Sequence, residues 1–239
     1  MMYAPAIGID HDPRAVLRPP KTGGIATRAP GRRPVRPDSM ASRRNLAFGE
    51  RPAHIAFHLT TGDKRMTISM YDASAPILVN ILGNMRHWLE RDDVKAAEAD
   101  LIGAKLADDM RPLVAQYQMA SDSAKNGMGR LAGIDIPPMP DTEASLAELA
   151  ARCDKTIAFV RGITPAQMDG SESREVLLKF PNGNGYRFTG QEYLTRFMLP
   201  NFFFHATTAY AILRTQGIPL GKPDFLAHMG PPKLLAQLA

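Results

Sequence analysis

One histidine stands at the centre of the most strongly helical stretch of this 239-residue chain. His205 recurs at helical spacing with Asn201 and Thr208 within residues 189–217, and apolar side chains fill the same stripe on both sides of these three residues. An imidazole can serve as a general base, as a metal ligand or as a neutral hydrogen-bonding group. We therefore take Asn201, His205 and Thr208 as one half of a candidate pocket.

A second group of polar candidates comes from an earlier part of the chain. Tyr117, Gln118 and Asp122 share an earlier predicted helix, and Tyr71 lies before that helix. Gln118 and Asp122 are four residues apart on one flank, so they form either an ordinary solvated edge or the wall of a pocket. If they face the histidine, an amide, a carboxylate and a proton-donating phenol would surround an imidazole.

Two interpretations of His205 stay open. In the first, a neutral imidazole bonds to Asn201 or Thr208 in a binding or structural protein. In the second, His205 is a metal ligand or general base of an enzyme, and Gln118 and Asp122 complete its surroundings. A solitary histidine on the core face of a helix is more often structural, so we favour the first interpretation.

Hydrophobic periodicity predicts four main helices that must position these residues. The predicted helices cover residues 69–89, about 108–132, about 142–160 and 189–216. A Thr189–Glu192 capping box predicts the start of the last helix, and Pro200 predicts a kink near its polar centre. Four apolar stripes are most simply buried in an all-α four-helix bundle.

A change of period between the third and fourth helices predicts a small β-hairpin. Residues 175–180 and 186–188 flank the sequence Asn182-Gly-Asn-Gly185. Asparagine and glycine tolerate the positive φ angles that hairpin turns require. Because two strands alone are marginally stable, we expect the hairpin to pack on the helices.

The positive charge of the chain is confined to its first segment. Residues 1–65 hold 12 Lys and Arg against 5 Asp and Glu, whereas residues 66–239 carry a net charge of −2. Proline and arginine dominate the first segment, so we expect it to be disordered. A nucleic-acid arm, a targeting peptide and a membrane tether are its competing functions. We favour Met66 as the natural start, with a folded domain over 66–227 and a flexible tail over 228–239.

Composition also disfavours several partners. The mild acidity of residues 66–239 gives no reason to expect nucleic acid, and no apolar run approaches the roughly 20 residues that span a membrane. Cys153 is the only cysteine, which excludes an intramolecular disulfide and fits a core position in a cytoplasmic protein. His54 and His58 have the spacing of a helical metal pair, but no glutamate follows the first histidine, so we do not expect a metal site from this pair alone.

Three longer motifs resemble those of the DinB/YfiT-like superfamily, in a branch known only as a domain of unknown function. They are Met-Thr-Ile-Ser-Met-Tyr-Asp-Ala-Ser at 66–74, Leu-Ala-Asp-Asp-Met-Arg-Pro-Leu at 106–113, and Pro-Asn-Phe-Phe-Phe-His-Ala-Thr-Thr-Ala-Tyr-Ala-Ile-Leu-Arg at 200–214. The resemblance covers about 66–227 and implies a four-helix bundle that often forms homodimers. Many members bind a divalent metal such as zinc or nickel, and some transfer low-molecular-weight thiols.

The metal ligands of that superfamily are commonly one histidine of the second helix and two of the fourth helix, spaced four apart. Only His205 matches this pattern, because residue 209 is alanine and the second helix has no histidine. We therefore expect no bound metal or other cofactor, and a homodimer that binds an unknown small molecule or serves a structural role. The alternative is a degenerate metal-dependent hydrolase or thiol transferase that uses His205.

Overall fold

The computed structural model describes residues 68–180 and 182–234. The basic first segment, with His54 and His58, lies outside the described residues, as does the end of the predicted tail. The properties predicted for these parts, and the predicted domain boundaries, stay predictions.

Helices make up most of the described chain, with one hairpin among them. In chain order they are α1 (Ala75–Glu90), α2 (Asp92–Ala96), α3 (Glu98–Leu101), α4 (Leu113–Ala132), α5 (Leu146–Arg161), α6 (Pro165–Met168), α7 (Gly190–Glu192), α8 (Leu199–Thr215) and α9 (Lys222–Phe225), with 3₁₀ turns at Ser171–Ser173 and Ala227–Met229.

The four long helices α1, α4, α5 and α8 form the predicted four-helix bundle. Helix α1 packs along α5, α4 packs along α8, and α4 also contacts α5. Each helix contributes fully buried side chains to one core, among them Leu78, Tyr117, Leu149 and Phe202. Burial of side chains of this size contributes about 1.5–3 kcal/mol each, so the shared core holds the helices together.

Prolines place the starts of α1 and α4 later than periodicity predicts. Helix α1 begins at Ala75 rather than Ser69, because Pro76 fits only in the first turn of a helix. Helix α4 begins at Leu113, directly after Pro112, rather than near residue 108. A proline disfavours helical geometry in the residue before it, so the helix cannot easily extend backwards.

Helix α5 is capped by Ser145 and begins at Leu146, whereas Asp141 or Thr142 was the predicted cap. The Ser145 hydroxyl accepts the Glu148 N–H at 3.2 Å, and the Glu148 carboxylate accepts the Ser145 N–H at 3.2 Å. This reciprocal capping box satisfies two main-chain donors at the helix start. Asp141 instead lies 2.9 Å from the guanidinium of Arg152.

The predicted β-hairpin is present between α6 and α7. Strand β1 (Glu175–Lys179) pairs antiparallel with β2 (Gly185–Thr189). Gly183 has a φ of +82° in the connecting turn, where an L side chain would be strained. The ring of Phe188 lies 6.0 Å from that of Tyr193, so the hairpin packs on the following helical run as expected.

The last helical run is continuous but not uniform. Thr189 and Glu192 form the predicted capping box at its start. Residues Tyr193–Met198 are π-helical, and α8 follows without a break. Pro200 has no N–H to donate to the carbonyl four residues earlier, so the irregularity expected from this proline occurs as a wider turn just before it.

Within the described residues, none of the helices is both long enough and apolar enough to cross a membrane.

Candidate functional site

His205 bonds to a residue of α4 that the sequence did not single out. Its Nδ1 lies 2.9 Å from Oε1 of Gln116. The Gln116 amide in turn donates from Nε2 to the carbonyl of Arg111 at 2.9 Å. Because only the amide nitrogen can donate to a carbonyl, this second bond fixes which end of the amide faces the histidine. Oε1 of Gln116 therefore accepts the Nδ1–H of His205, and Nε2 of the histidine ring carries the lone pair.

Burial keeps this imidazole neutral. His205 is 8% exposed, and desolvation lowers the pKa of His205 to about 4. Among residues 68–180 and 182–234, Gln116 is the side chain that bonds to the ring, and nothing there bonds to Nε2. At neutral pH the residue therefore offers one hydrogen-bond-accepting nitrogen in a fixed orientation.

The two polar neighbours of His205 in the stripe bond elsewhere. Asn201 donates from Nδ2 to the hydroxyl of Ser123 on α4 at 2.6 Å. The Thr208 hydroxyl donates to the carbonyl of Phe204, one turn earlier in its own helix, at 2.7 Å. The bond expected between His205 and Asn201 or Thr208 is not formed, because each of these two side chains bonds to another partner and His205 bonds to Gln116.

Gln118 and Asp122 belong to a charged cluster between α4 and α5. The guanidinium of Arg152 on α5 is buried at its centre and lies 2.9 Å from Asp122, Asp141 and Glu143. Gln118 donates from Nε2 to Glu143 at 2.9 Å. The structure does not bring Gln118 and Asp122 into contact with the histidine, because they lie on the side of α4 that faces α5.

Two buried cations, Arg152 and Lys125, lie among the three carboxylates of this cluster. The ammonium of Lys125 lies 3.5 Å from Asp122 and donates to a main-chain carbonyl of the α4–α5 loop at 3.1 Å. Burial raises the pKa of Asp122, although Arg152 and Lys125 favour its charged form. Burial also acts to raise the pKa of Glu143, but hydrogen bonds from Gln118 and Arg152 leave that pKa below its ordinary value. The cluster ties the loop to both helices.

Neither of the two candidate tyrosines hydrogen-bonds to the histidine. Tyr117 is fully buried and donates from its hydroxyl to the carbonyl of Met85 at 3.0 Å, which ties α4 to α1. Burial raises the pKa of Tyr117 well above its ordinary value, so the group stays a phenol. Tyr71 is half-buried in the turn before α1, where its carbonyl accepts the N–H of Ala75 at 2.9 Å.

The outer surface beside His205 carries no charge. We call it the α4–α8 face; it comprises Ala115 and Met119 of α4 and Pro200, Phe204 and Thr207 of α8, all half-buried or exposed. No Asp, Glu, Lys or Arg occurs over residues 113–121 or 197–213. The ring of Phe204 is 55% exposed and stands edge-on to the imidazole, with centroids 5.2 Å apart. Such a surface is unusual for a solvated helix, which normally carries charged residues on its outer side.

The donor set around His205 does not fit the metal site that the DinB resemblance implies. The residue one turn later is Ala209, which is buried in the core, and both ends of the Gln116 amide are committed to neighbours. Within the part of the chain that the structure describes, no group of three or more His, Cys, Asp or Glu could hold a metal ion. Zinc sites take four ligands, or three and a water, so one imidazole falls short.

Small residues on α4 are the sequence signal that could have identified Gln116. Gln116, Ala120 and Gly127 recur on one side of the helix. A Cβ added to Gly127 would lie 2.2 Å from Sδ of Met198, so this side approaches the last helical run closely. Gln118, two positions later, points away from that side. The Arg152 cluster had no comparable signal, because its members come from α4, α5 and the loop between them.

The fold defines a DinB-like four-helix bundle protein. The chain is similar to the crystal structure of a DinB family member from Shewanella denitrificans, with 31% identity and a TM-score of 0.59 over 69% of this chain and 95% of that chain. Residues 70–226 match the family described as Domain of unknown function (DUF1993), and the chain belongs to this family. No curated protein matches it.

Proposed function

We propose that the protein is a homodimeric binding protein that holds a small, uncharged hydrogen-bond donor against His205. The observation that supports this role is the neutral imidazole whose Nδ1–H is committed to Gln116, which leaves Nε2 as the acceptor. Binding requires a pre-oriented polar group and apolar surface for the rest of the ligand. A cytoplasmic location, with no nucleic acid or membrane as partner, is part of the same proposal, and the buried free thiol of Cys153 fits it.

The chemistry of the acceptor selects the class of ligand. Because burial lowers the pKa of His205 to about 4, the ring carries no charge at pH 7 and does not attract an anion. Phe204 beside it offers an exposed ring for stacking. A small aromatic alcohol would satisfy both groups: its hydroxyl would donate to Nε2, and its ring would pack near Phe204.

The uncharged α4–α8 face supports the homodimer. Charged residues are depleted and aromatic residues enriched at the cores of protein interfaces. This face carries no charged side chain on two adjacent helices, and Phe204 is an exposed aromatic ring within it. A second copy would enclose the surroundings of His205, which would increase the contact surface for a ligand.

Phenol is the probe that tests the ligand site. We expect phenol to shift the ¹⁵N resonance of His205 Nε2 in the full-length protein, with weaker binding of toluene by about fivefold because toluene lacks one hydrogen bond of about 1 kcal/mol. Benzoate should not compete, since a neutral imidazole does not attract an anion. An unchanged Nε2 resonance at millimolar phenol, or equal effects of phenol and toluene, would contradict the proposed site.

Sedimentation velocity tests the homodimer. Phe204→Arg places a charge in the α4–α8 face and should convert a dimer into a monomer. Tyr186→Arg is the matched control, because Tyr186 is 57% exposed on β2 and Phe204 is 55% exposed on α8. A monomeric wild type, or dimers that survive in Phe204→Arg, would refute the assignment of this face.

The metal-dependent alternative has its own measurement. Metal analysis of the full chain, purified without chelator or affinity histidines, distinguishes it from a binding protein. If the protein is the proposed binding protein, we expect a metal content well below one equivalent per chain, and the same metal content in His205→Ala. Near-stoichiometric zinc or nickel that is lost in His205→Ala would instead support the hydrolase or thiol-transferase alternative.

A further inference from the structure

A short C-terminal strap is held across α1 by a buried amide. The strap, residues 221–230, comprises α9 and the turn that follows it. Asn84 of α1 is 6% exposed and donates from Nδ2 to the carbonyl of Phe225 at 2.8 Å. The same nitrogen lies 2.8 Å from Nδ1 of His228. One amide group therefore holds the strap at two points.

The strap covers the only tryptophan of the chain. Trp88 is 1% exposed, and its indole N–H donates to the carbonyl of Asp224 at 3.2 Å. The ring centroid of Phe225 in the strap lies 5.7 Å from that of Trp88 and 5.9 Å from that of Tyr210. Release of the strap would therefore uncover an aromatic notch between α1 and α8.

The bond between Asn84 and His228 exists only when the imidazole is neutral. The carbonyl of Phe225 can only accept, so the atom of Asn84 that faces it must be the nitrogen, and Nδ1 of His228 must accept from that nitrogen. Protonation turns both ring nitrogens into donors, so no ring orientation restores an acceptor. If the Asn84 amide flipped, its oxygen would accept a hydrogen bond from the imidazolium. The same oxygen would then face the carbonyl oxygen of Phe225, and the two acceptors would repel each other.

We propose that Asn84 and His228 form a proton-sensitive latch, in which protonation of His228 breaks their bond and favours release of the strap from Trp88. Histidine is the side chain that gains a proton between about pH 5 and pH 8, so mild acidification is the trigger. This device is independent of His205, which faces α4 on another side of the bundle.

Other charged groups on the two packed elements do not replace the lost bond. Asp224 of the strap accepts the N–H of Gly221 at 2.6 Å with one carboxylate oxygen, and the other lies 4.0 Å from Arg91. On α1, His87 lies 3.9 Å from Glu90 and is exposed. Lys222 of the strap is exposed and adds a positive charge. His87 is a second histidine on α1, so it requires a control.

Amide hydrogen exchange of the strap measures the latch directly. The N–H groups of Asp224, Leu226 and Met229 are bonded within the strap and exchange when it opens. In the full-length wild type, their protection factors should fall about tenfold between pH 7.5 and pH 5.5, because one partly buried hydrogen bond is lost and one of the two Asn84 amide hydrogens then faces a donor. Trp88 emission should shift to the red over the same range.

Three variants make the test decisive. His228→Asn keeps an oxygen acceptor near the position of Nδ1 without a titrating group, so its protection should not change with pH. His228→Ala should be poorly protected at both pH values, and His87→Gln should behave as wild type. Equal acid-induced loss in wild type and His228→Asn, or wild-type protection in His228→Ala at pH 7.5, would overturn the latch.

Discussion

The pH dependence of stability is a direct consequence of the buried His205. An unfolded histidine titrates near 6.5, whereas burial lowers the pKa of His205 to about 4 in the folded protein. Between these values the unfolded chain binds a proton that the folded chain does not, so the free energy of unfolding falls as the pH falls. The contribution is fully present above pH 6.5 and is lost progressively down to pH 4.

The size of the effect follows from the two pKa values. At pH 5 the loss from this residue is about 2 kcal/mol, and at pH 4 and below it approaches about 3 kcal/mol. A small bundle has about 5–15 kcal/mol of total stability, so the change is easily measured. Urea unfolding, followed by circular dichroism at a series of pH values, gives the free energy of unfolding at each point.

His205→Asn is the variant that isolates this effect. Its side-chain amide keeps a donor close to the position of Nδ1, so the bond to Gln116 Oε1 can persist, but the group does not titrate. The difference between the wild-type and variant curves cancels the other acid-sensitive groups. Stability should fall between pH 7 and pH 5 by about 2 kcal/mol less in His205→Asn. Parallel curves would refute the claim that His205 is held neutral by burial.

Three further predictions concern the rest of the bundle. Arg152→Met should cost about 3–5 kcal/mol in urea unfolding, because Asp122, Asp141 and Glu143 lose the buried guanidinium that all three contact; a cost below 1 kcal/mol would mean that the cluster is solvated. Gly127→Ala should cost about 1–3 kcal/mol, because its Cβ would meet Met198 Sδ at 2.2 Å; the cost should shrink in a Met198→Ala background. The thiol of Cys153 is buried and burial raises its pKa to about 12, so a thiol reagent should label it only on unfolding.

The main elements of the fold could be predicted from periodicity and turn chemistry. The capping box of Thr189 and Glu192, the Asn-Gly hairpin and the four apolar stripes are local signals, and each of them is confirmed. The predicted helix starts were less accurate where a proline follows an acidic residue that could cap the helix. At α4 the helix begins after Pro112 and not at the acidic residues near 108. The predicted kink at Pro200 took the form of a π-helical turn, which periodicity alone does not distinguish from a bend.

The partners within the candidate site could not be predicted from one sequence. The choice between Gln116 and Gln118 depends on how α4 is rotated about its axis, and two positions along a helix correspond to opposite sides. The close approach at Gly127 sets that rotation, and it brings Gln116 to His205. Gln118 is turned toward Arg152 by the same rotation, a long-range contact for which no local pattern exists.

The tautomer of His205 is the central claim about the site, and long-range ¹H–¹⁵N NMR of the full-length protein at pH 7 reads it directly. We predict a protonated Nδ1 and a bare Nε2, with no change in the protonation state of the ring down to pH 5. The opposite tautomer, or an imidazolium at pH 7, would contradict both the bond to Gln116 and the proposed acceptor role.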